Sequence, residues 1–379
     1  MNSLLKYLDK IRILEIKSAR AAEIDYKSLG FSRILFGLFF FVFAWEQFAW
    51  IATVPDAFYN PPDFSIAAFF NKFPSKGFFY IFDTLILLSA LTTTIGFFTR
   101  FSTATWLCSS IIVLSFKYSF GKIDHGIMEQ ALLFTMLWAN WGHSLSIDAY
   151  LKSKREKGQK DTRAKKVSLH LLTLFLAFGF FTAGFPKAFN WIDFDLATNG
   201  FLAWLYDGYY NLNRTHLLAN LAIDIRPLWL WEFADYFAVI FEFGLIFARF
   251  GGMSLRVWLV IASIFHLANL LFLNISFLEN ISIYLCFVSW SRLFPNFTGR
   301  VEKKLMFVFG FIFMIIFIPF FIVEYDYIVG GIFTIVSGYS IQDPGTLITA
   351  TIIWGATLGI LLYELVSFRP NSEKLKTDN

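Results

Sequence analysis

Apolar runs of about 20 residues recur along this chain from end to end, and that is the length a helix needs to cross a bilayer. They cover 29–51, 77–98, 102–118, 126–141, 167–185, 230–249, 255–273, 276–291, 305–323 and 347–367. Inside lipid every backbone N–H and C=O must be satisfied within the spanning element, so such runs predict helices rather than open sheet. The expected fold is all-α, a polytopic integral membrane helix bundle of about 8–10 transmembrane helices. The third, fourth and eighth runs are short or polar, which leaves the count open within that range. With 57% hydrophobic and 16% charged residues, the 379-residue chain does not read as two or three soluble domains. Its 50 phenylalanines and 12 tryptophans suit lipid-facing surfaces and interfacial belts.

Basic residues orient the bundle. Lys152, Lys154, Arg155, Lys157, Lys160, Arg163, Lys165 and Lys166 follow the fourth run, and Arg292, Arg300, Lys303 and Lys304 follow the eighth. The opposite turns carry Asp56 and Asp63, then Asp193, Asp195, Asp207 and Asp224, then Glu324, Asp326 and Asp343. By the positive-inside rule both termini are cytoplasmic. Residues 1–27 are basic, with Leu4, Leu5, Leu8, Ile11 and Leu14 at near-helical spacing, and read as an amphipathic helix on the inner membrane face. Arg33 and Arg100 read as anchors at that face. The outer segments 52–76 and 188–228 are too long for simple turns; each is either a cap folded back over the membrane face or an ordinary loop. The partners implied are membrane lipids, and the +4 net charge gives no case for nucleic acid. Cys108 and Cys286 lie within apolar runs and read as small hydrophobes, and no metal-site spacing is present.

Few residues in such a chain can do chemistry. The fifth run ends at Ala183-Gly184-Phe185-Pro186-Lys187. An amine removed from water gives up its proton more readily, so Lys187 is a candidate base; the alternative is a lysine snorkelling to the headgroups. The fourth run opens on Asp124-His125-Gly126 and continues to Glu129. His125 and Glu129 are four apart and share a helix face, where a carboxylate orients an imidazole; the alternative is a capped helix start. His266 lies among apolar neighbours with Asn269 one turn on, facing either a functional cavity or a helix–helix hydrogen bond. Glu46, Asp83 and Glu242 are acids within apolar runs, where such groups face the bundle interior and pair with cations.

These residues also carry a resemblance. Asp124-His125-Gly126 through Trp141, closing on Ser146-Ile147-Asp148, resembles a span of the vitamin K-dependent γ-carboxylase and its bacterial relatives, the horizontally transferred transmembrane (HTTM) domain proteins. Ala183-Gly184-Phe185-Pro186-Lys187 is similar to the carboxylase helix ending in Ala-Gly and a lysine pair, and Phe265-His266 to a later Phe-His. Phe31-Ser32-Arg33 matches the family's opening, so the likeness covers residues 28–295, with additional membrane helices over 296–369 and a polar tail at 370–379. Pro186 stands where the family has its first lysine, and Asp124 where it has asparagine.

The resemblance implies Lys187 as the base, His125 as acid or oxyanion partner, and His266 as a pocket residue. Asp124, Glu129, Asn269 and Glu242 would support them. It implies a reduced, vitamin K-like quinone as cofactor and a carboxylase- or epoxidase-like activity, a lyase or oxidoreductase at the outer face. Short bacterial relatives are linked to maturation of secreted peptides with an accessory protein, which places the chain as a multi-pass protein of a bacterial inner membrane. The competing expectation is a transporter, or an export or immunity helper for a peptide or lipid, in which Glu46, Asp83 and Glu242 form the path and no catalysis occurs.

Overall fold

A computed structural model describes residues 2–121, 126–155, 166–193, 195–196, 198–295 and 344–368. Its helices begin with α1 (Asn2–Ala21), α2 (Tyr26–Phe39), α3 (Lys76–Ile95), α4 (Thr99–Lys117), α5 (Ile127–Ala139) and α6 (Ile147–Arg155). They continue as α7 (His170–Asn190), α8 (Gly200–Tyr206), α9 (Ala219–Ala222), α10 (Leu228–Ala248) and α11 (Gly252–Leu273). Last come α12 (Glu279–Leu285), α13 (Trp290–Leu293) and α14 (Pro344–Ser367). The chain forms two compact units. The first comprises Met1–Glu23, Ser168–Ser276 and Leu347–Asn379, and the second Ile24–Val167 and Phe277–Thr346. Two three-residue strands, β1 (Glu23–Asp25) and β2 (Lys166–Ser168), lie where the chain passes from one unit to the other.

The all-α class holds. Among the described residues, five helical segments are long and apolar enough to cross a membrane: Tyr26–Thr53, Lys76–Ile95, His170–Asn190, Gly252–Leu273 and Pro344–Ser367. The expected 8–10 spans are reached only in part. α10 has the length, at 21 residues, but carries Glu232, Asp235 and Glu242. α5 has 13 residues and rises about 20 Å, short of the roughly 30 Å hydrocarbon core. The eighth expected run, 276–291, is not one helix. It holds only the seven-residue α12 and the four-residue α13, with 286–289 between them, and positive φ at Asn274 and Phe277 sets α12 off from α11. The ninth run, 305–323, lies outside the described residues.

In the second unit the first span is broken. α2 passes into a π turn at Phe40–Ala44, residues 45–48 are irregular, and a 3₁₀ turn follows at Ala49–Thr53. A break inside an apolar setting must satisfy its freed backbone groups. Asp83 of α3 does this, both carboxylate oxygens accepting from Phe48 N–H at 3.1 Å. Glu46, at the break, pairs with Lys117 of α4 at 2.6 Å. The 52–76 segment does fold back: Ala67 N–H donates to Ser115 Oγ at 3.1 Å, and Phe73 stacks on Phe120.

Arg33 is not a surface anchor. It is fully buried in the second unit, where its guanidinium donates to the carbonyls of Thr94 (3.4 Å), Trp141 (2.8 Å), Ser144 (3.3 Å) and Leu145. These are the spare carbonyls of the α3 C-terminus and of the turn between α5 and α6, which have no intrahelical donors. Asp148 completes the knot by accepting from Phe98 N–H, Thr99 N–H and Thr99 Oγ–H at 2.6–2.9 Å, which caps α4. Gly96, at φ +74°, leaves room for Ser146 and the Arg33 guanidinium, which any Cβ there would crowd.

Candidate functional site

The site is built on two helices of the first unit, α7 and α10. α7 does not stop at its Gly-Phe-Pro-Lys stretch as the sequence suggests; it runs on to Asn190 with Pro186 inside it. Proline removes one helical N–H, and the turn around it is held by Asn190 Nδ2 donating to Pro186 O at 2.7 Å. Lys187 therefore sits within a helix, one turn beyond Gly184. A Cβ on Gly184 would lie 3.0 Å from Glu242 Cβ and 3.2 Å from its Oε2. The missing side chain is what lets α10 bring Glu242 against α7. Lys187 Nζ donates to Glu242 Oε1, and Nζ also lies 5.2 Å from the ring centre of Trp191, four residues on.

The pair is unevenly covered. The Glu242 side chain is 4% exposed and that of Lys187 24%. Glu242 Oε2 is buried and accepts no hydrogen bond from the described residues. An amine and a carboxylate joined in an apolar bundle form a unit that can hold or exchange one proton internally. Its open side is the lysine, and its spare acceptor is Oε2.

His266, on α11, is 3% exposed. Its ring stacks on Trp354 of α14 at 5.3 Å between centres and meets Phe180 of α7 at 6.1 Å. Phe180 lies seven residues before Lys187, so His266 touches α7 about 10 Å lower along its axis. Asn269 is buried one turn beyond His266. Thus Lys187, Glu242, His266 and Asn269 fall in one unit, with Lys187 and Glu242 in direct contact. Glu129 occupies the first turn of α5 in the second unit, partly buried. Asp124 and His125 lie outside the described residues.

Four of the acids within apolar segments divide by partner. Glu46 and Glu242 take lysines, whereas Asp83 and Asp235 take backbone N–H groups. Asp235 accepts from Gly200 N–H and Phe201 N–H at 2.7 Å each, capping α8 from α10. The 188–228 segment is folded back by this cap and by Asn274, whose side chain both accepts from His216 N–H and donates to His216 O. In the same segment Asp193 accepts from Thr198 Oγ–H and Asp195 N–H, which holds its carboxyl below the usual range. Sequence reasoning missed Arg256, Glu364 and Trp354. Arg256 Nε donates to Glu364 Oε1 at 3.1 Å, and its guanidinium lies 3.8 Å from the Phe368 ring centre. The only signal for that pair was a charged residue in each of two long apolar helices.

Set beside protein-family models, curated proteins and solved structures, the chain matches none. Its site is therefore read from its own geometry. Among the described residues no three His, Cys, Asp or Glu side chains are grouped to hold a metal ion.

Proposed function

We propose that this protein is a membrane-embedded enzyme of the kind the γ-carboxylase and HTTM resemblance implies, with Lys187 as its base and Glu242 as the base's carboxylate partner. The substrate class is a reduced, vitamin K-like quinone or another lipid-borne acid, and the role is modification or maturation of a secreted peptide at the outer face of a cell membrane. The observation that carries this reading is the Lys187–Glu242 contact: an amine held against a carboxylate inside apolar helices, with the lysine side chain still a quarter exposed. The residues suit a quinol, since Glu242 Oε2 is a buried acceptor awaiting a donor and Trp191 offers a ring face beside the amine. A bound quinol would supply a weakly acidic O–H and reducing equivalents. Lys187 would receive the proton after passing its own to Glu242, so the carboxylate stores a proton that would otherwise have to leave the bundle.

The transport reading has less support. It needs Glu46 and Asp83 free to load and release, yet one is paired with Lys117 and the other caps a break in a span.

The test uses Lys187→Arg in lipid nanodiscs supplied with vitamin K hydroquinone and dissolved dioxygen, the oxidant that takes up the two electrons and two protons the quinol gives up. Arginine keeps the charge beside Glu242 but does not deprotonate in proteins. Quinol oxidation should fall by at least about 100-fold, the low end of general acid–base contributions, while thermal stability is kept and Glu46→Gln retains activity. Oxidation undiminished in Lys187→Arg, or no oxidation by the wild type above empty nanodiscs, would overturn the proposal.

A further inference from the structure

The first unit carries a helix that the candidate site does not use. α1 is joined to the ends of the three helices that bear Lys187, Glu242 and His266. Ser168 Oγ, just before α7, donates to Ala19 O at 2.6 Å, and Leu169 N–H donates to Ala22 O at 2.9 Å. Arg249, which ends α10, donates from Nε to Ser18 Oγ at 3.2 Å and lies 3.6 Å from Glu15. Arg256, in the first turns of α11, reaches Ala21 O at 3.4 Å. One face of the last turn of α1 is thus buried, with Ser18, Ala21 and the following Ala22 at 5% exposure or less.

Toward its N-terminus the same helix face emerges uncovered. Leu8, Ile11 and Leu14 continue the line of Ser18 and Ala21 at spacings of three and four, and they are 51%, 41% and 42% exposed. Lys6, Lys10 and Lys17 stand four and seven apart along one flank of that face, all exposed. Over the whole helix five cations stand against two acids, and one of the acids, Glu15, already faces Arg249. A uniform apolar partner would leave the lysine flank without a counterpart. An anionic bilayer surface offers both layers at once, acyl chains for the leucines and headgroup phosphates for the lysines. Five helical segments among the described residues are long and apolar enough to cross a membrane, which would bring such a surface within reach of α1.

We infer that α1 is a membrane-surface clamp: it lies on anionic phospholipid through Leu8, Ile11, Leu14 and the Lys6–Lys10–Lys17 flank, and through its buried end it holds the ends of α7, α10 and α11 together. The inference does not depend on what the candidate site catalyses.

A spin label at Leu8→Cys in the full chain tests it, in a Cys108→Ser background because Cys108 is exposed and Cys286 buried. In nanodiscs containing phosphatidylglycerol the label should be open to oxygen and shielded from a water-soluble nickel reagent; a label at Asp9→Cys, on the opposite face, should show the reverse. In phosphatidylcholine alone, or with Lys6, Lys10 and Lys17 all changed to glutamine, the shielding at position 8 should fall away. About fivefold in binding is expected per lysine near an anionic surface, so the triple change is large. A label at position 8 that stays in water in both lipids would overturn the inference, as would shielding that is equal in both lipids and in the triple variant.

Discussion

Replacing Arg33 with alanine is expected to lower the unfolding free energy of the second unit by about 3–5 kcal/mol, the usual loss when one member of a buried charged network is removed. The size follows from what is left behind. The carbonyls of Thr94 and Trp141 lose a donor in a buried setting, and those of Ser144 and Leu145 lose one in a partly buried setting, where each fully stranded acceptor costs about 1–3 kcal/mol. Arg33→Lys should recover only part of the loss, because an ammonium presents its donors at one point rather than across a planar fork. Cys286 is a built-in reporter, buried and free in the same unit. The rate at which its thiol reacts on heating should rise sharply for Arg33→Ala and less for Arg33→Lys. A reaction profile identical to wild type for Arg33→Ala would show that the carbonyl knot does not hold the unit.

Arg256→Ala is expected to be comparably damaging in the first unit. The side chains of Arg256 and Glu364 are 6% and 2% exposed, so truncating the arginine leaves a carboxylate buried without its counter-charge. That again costs about 3–5 kcal/mol. The same principle predicts that Arg256→Met with Glu364→Leu will be far milder than Arg256→Ala, since removing both charges removes the desolvation cost along with the attraction. Thermal unfolding of the three proteins in one detergent decides it. If the double variant is as unstable as Arg256→Ala, the buried ion pair is not what joins α11 to α14.

Much of the helical layout is legible because lipid demands long apolar runs, and those runs are visible without any partner. Five of them coincide with helical segments long and apolar enough to cross a membrane, with ends shifted by a few residues. The failures have local causes. The run at 276–291 satisfies a hydropathy window, yet its one asparagine, Asn280, and its serines can bond their own backbone and so favour turns. The break at 45–48 carries no proline or glycine, and its one signal is Glu46-Gln47 inside an otherwise apolar stretch. Pro186 looked like a helix end because its lost N–H is local information, whereas the packing of α7 on α10 that keeps the helix intact is not.

The candidate site shows the same division. Gly184, Lys187 and Trp191 are separated by three and four residues, so their shared face is readable from spacing alone. Glu242 was recognisable as an acid in an apolar helix, but its contact with Lys187 bridges 55 positions and only the fold reveals it. Arg33 misled for a related reason: an arginine near the start of a span ordinarily snorkels, and nothing nearby in sequence announces the carbonyls it serves some 60 to 110 residues away.

The central claim is that Lys187 and Glu242 act as one coupled pair, and a double-mutant cycle measures that coupling directly. Stability would be determined for wild type, Lys187→Met, Glu242→Gln and the double variant in the same nanodiscs. The predicted result is a coupling of about 1–3 kcal/mol, with the double variant more stable than the sum of the single losses implies. Losses that add to within about 0.5 kcal/mol, the behaviour of independent sites, would contradict it.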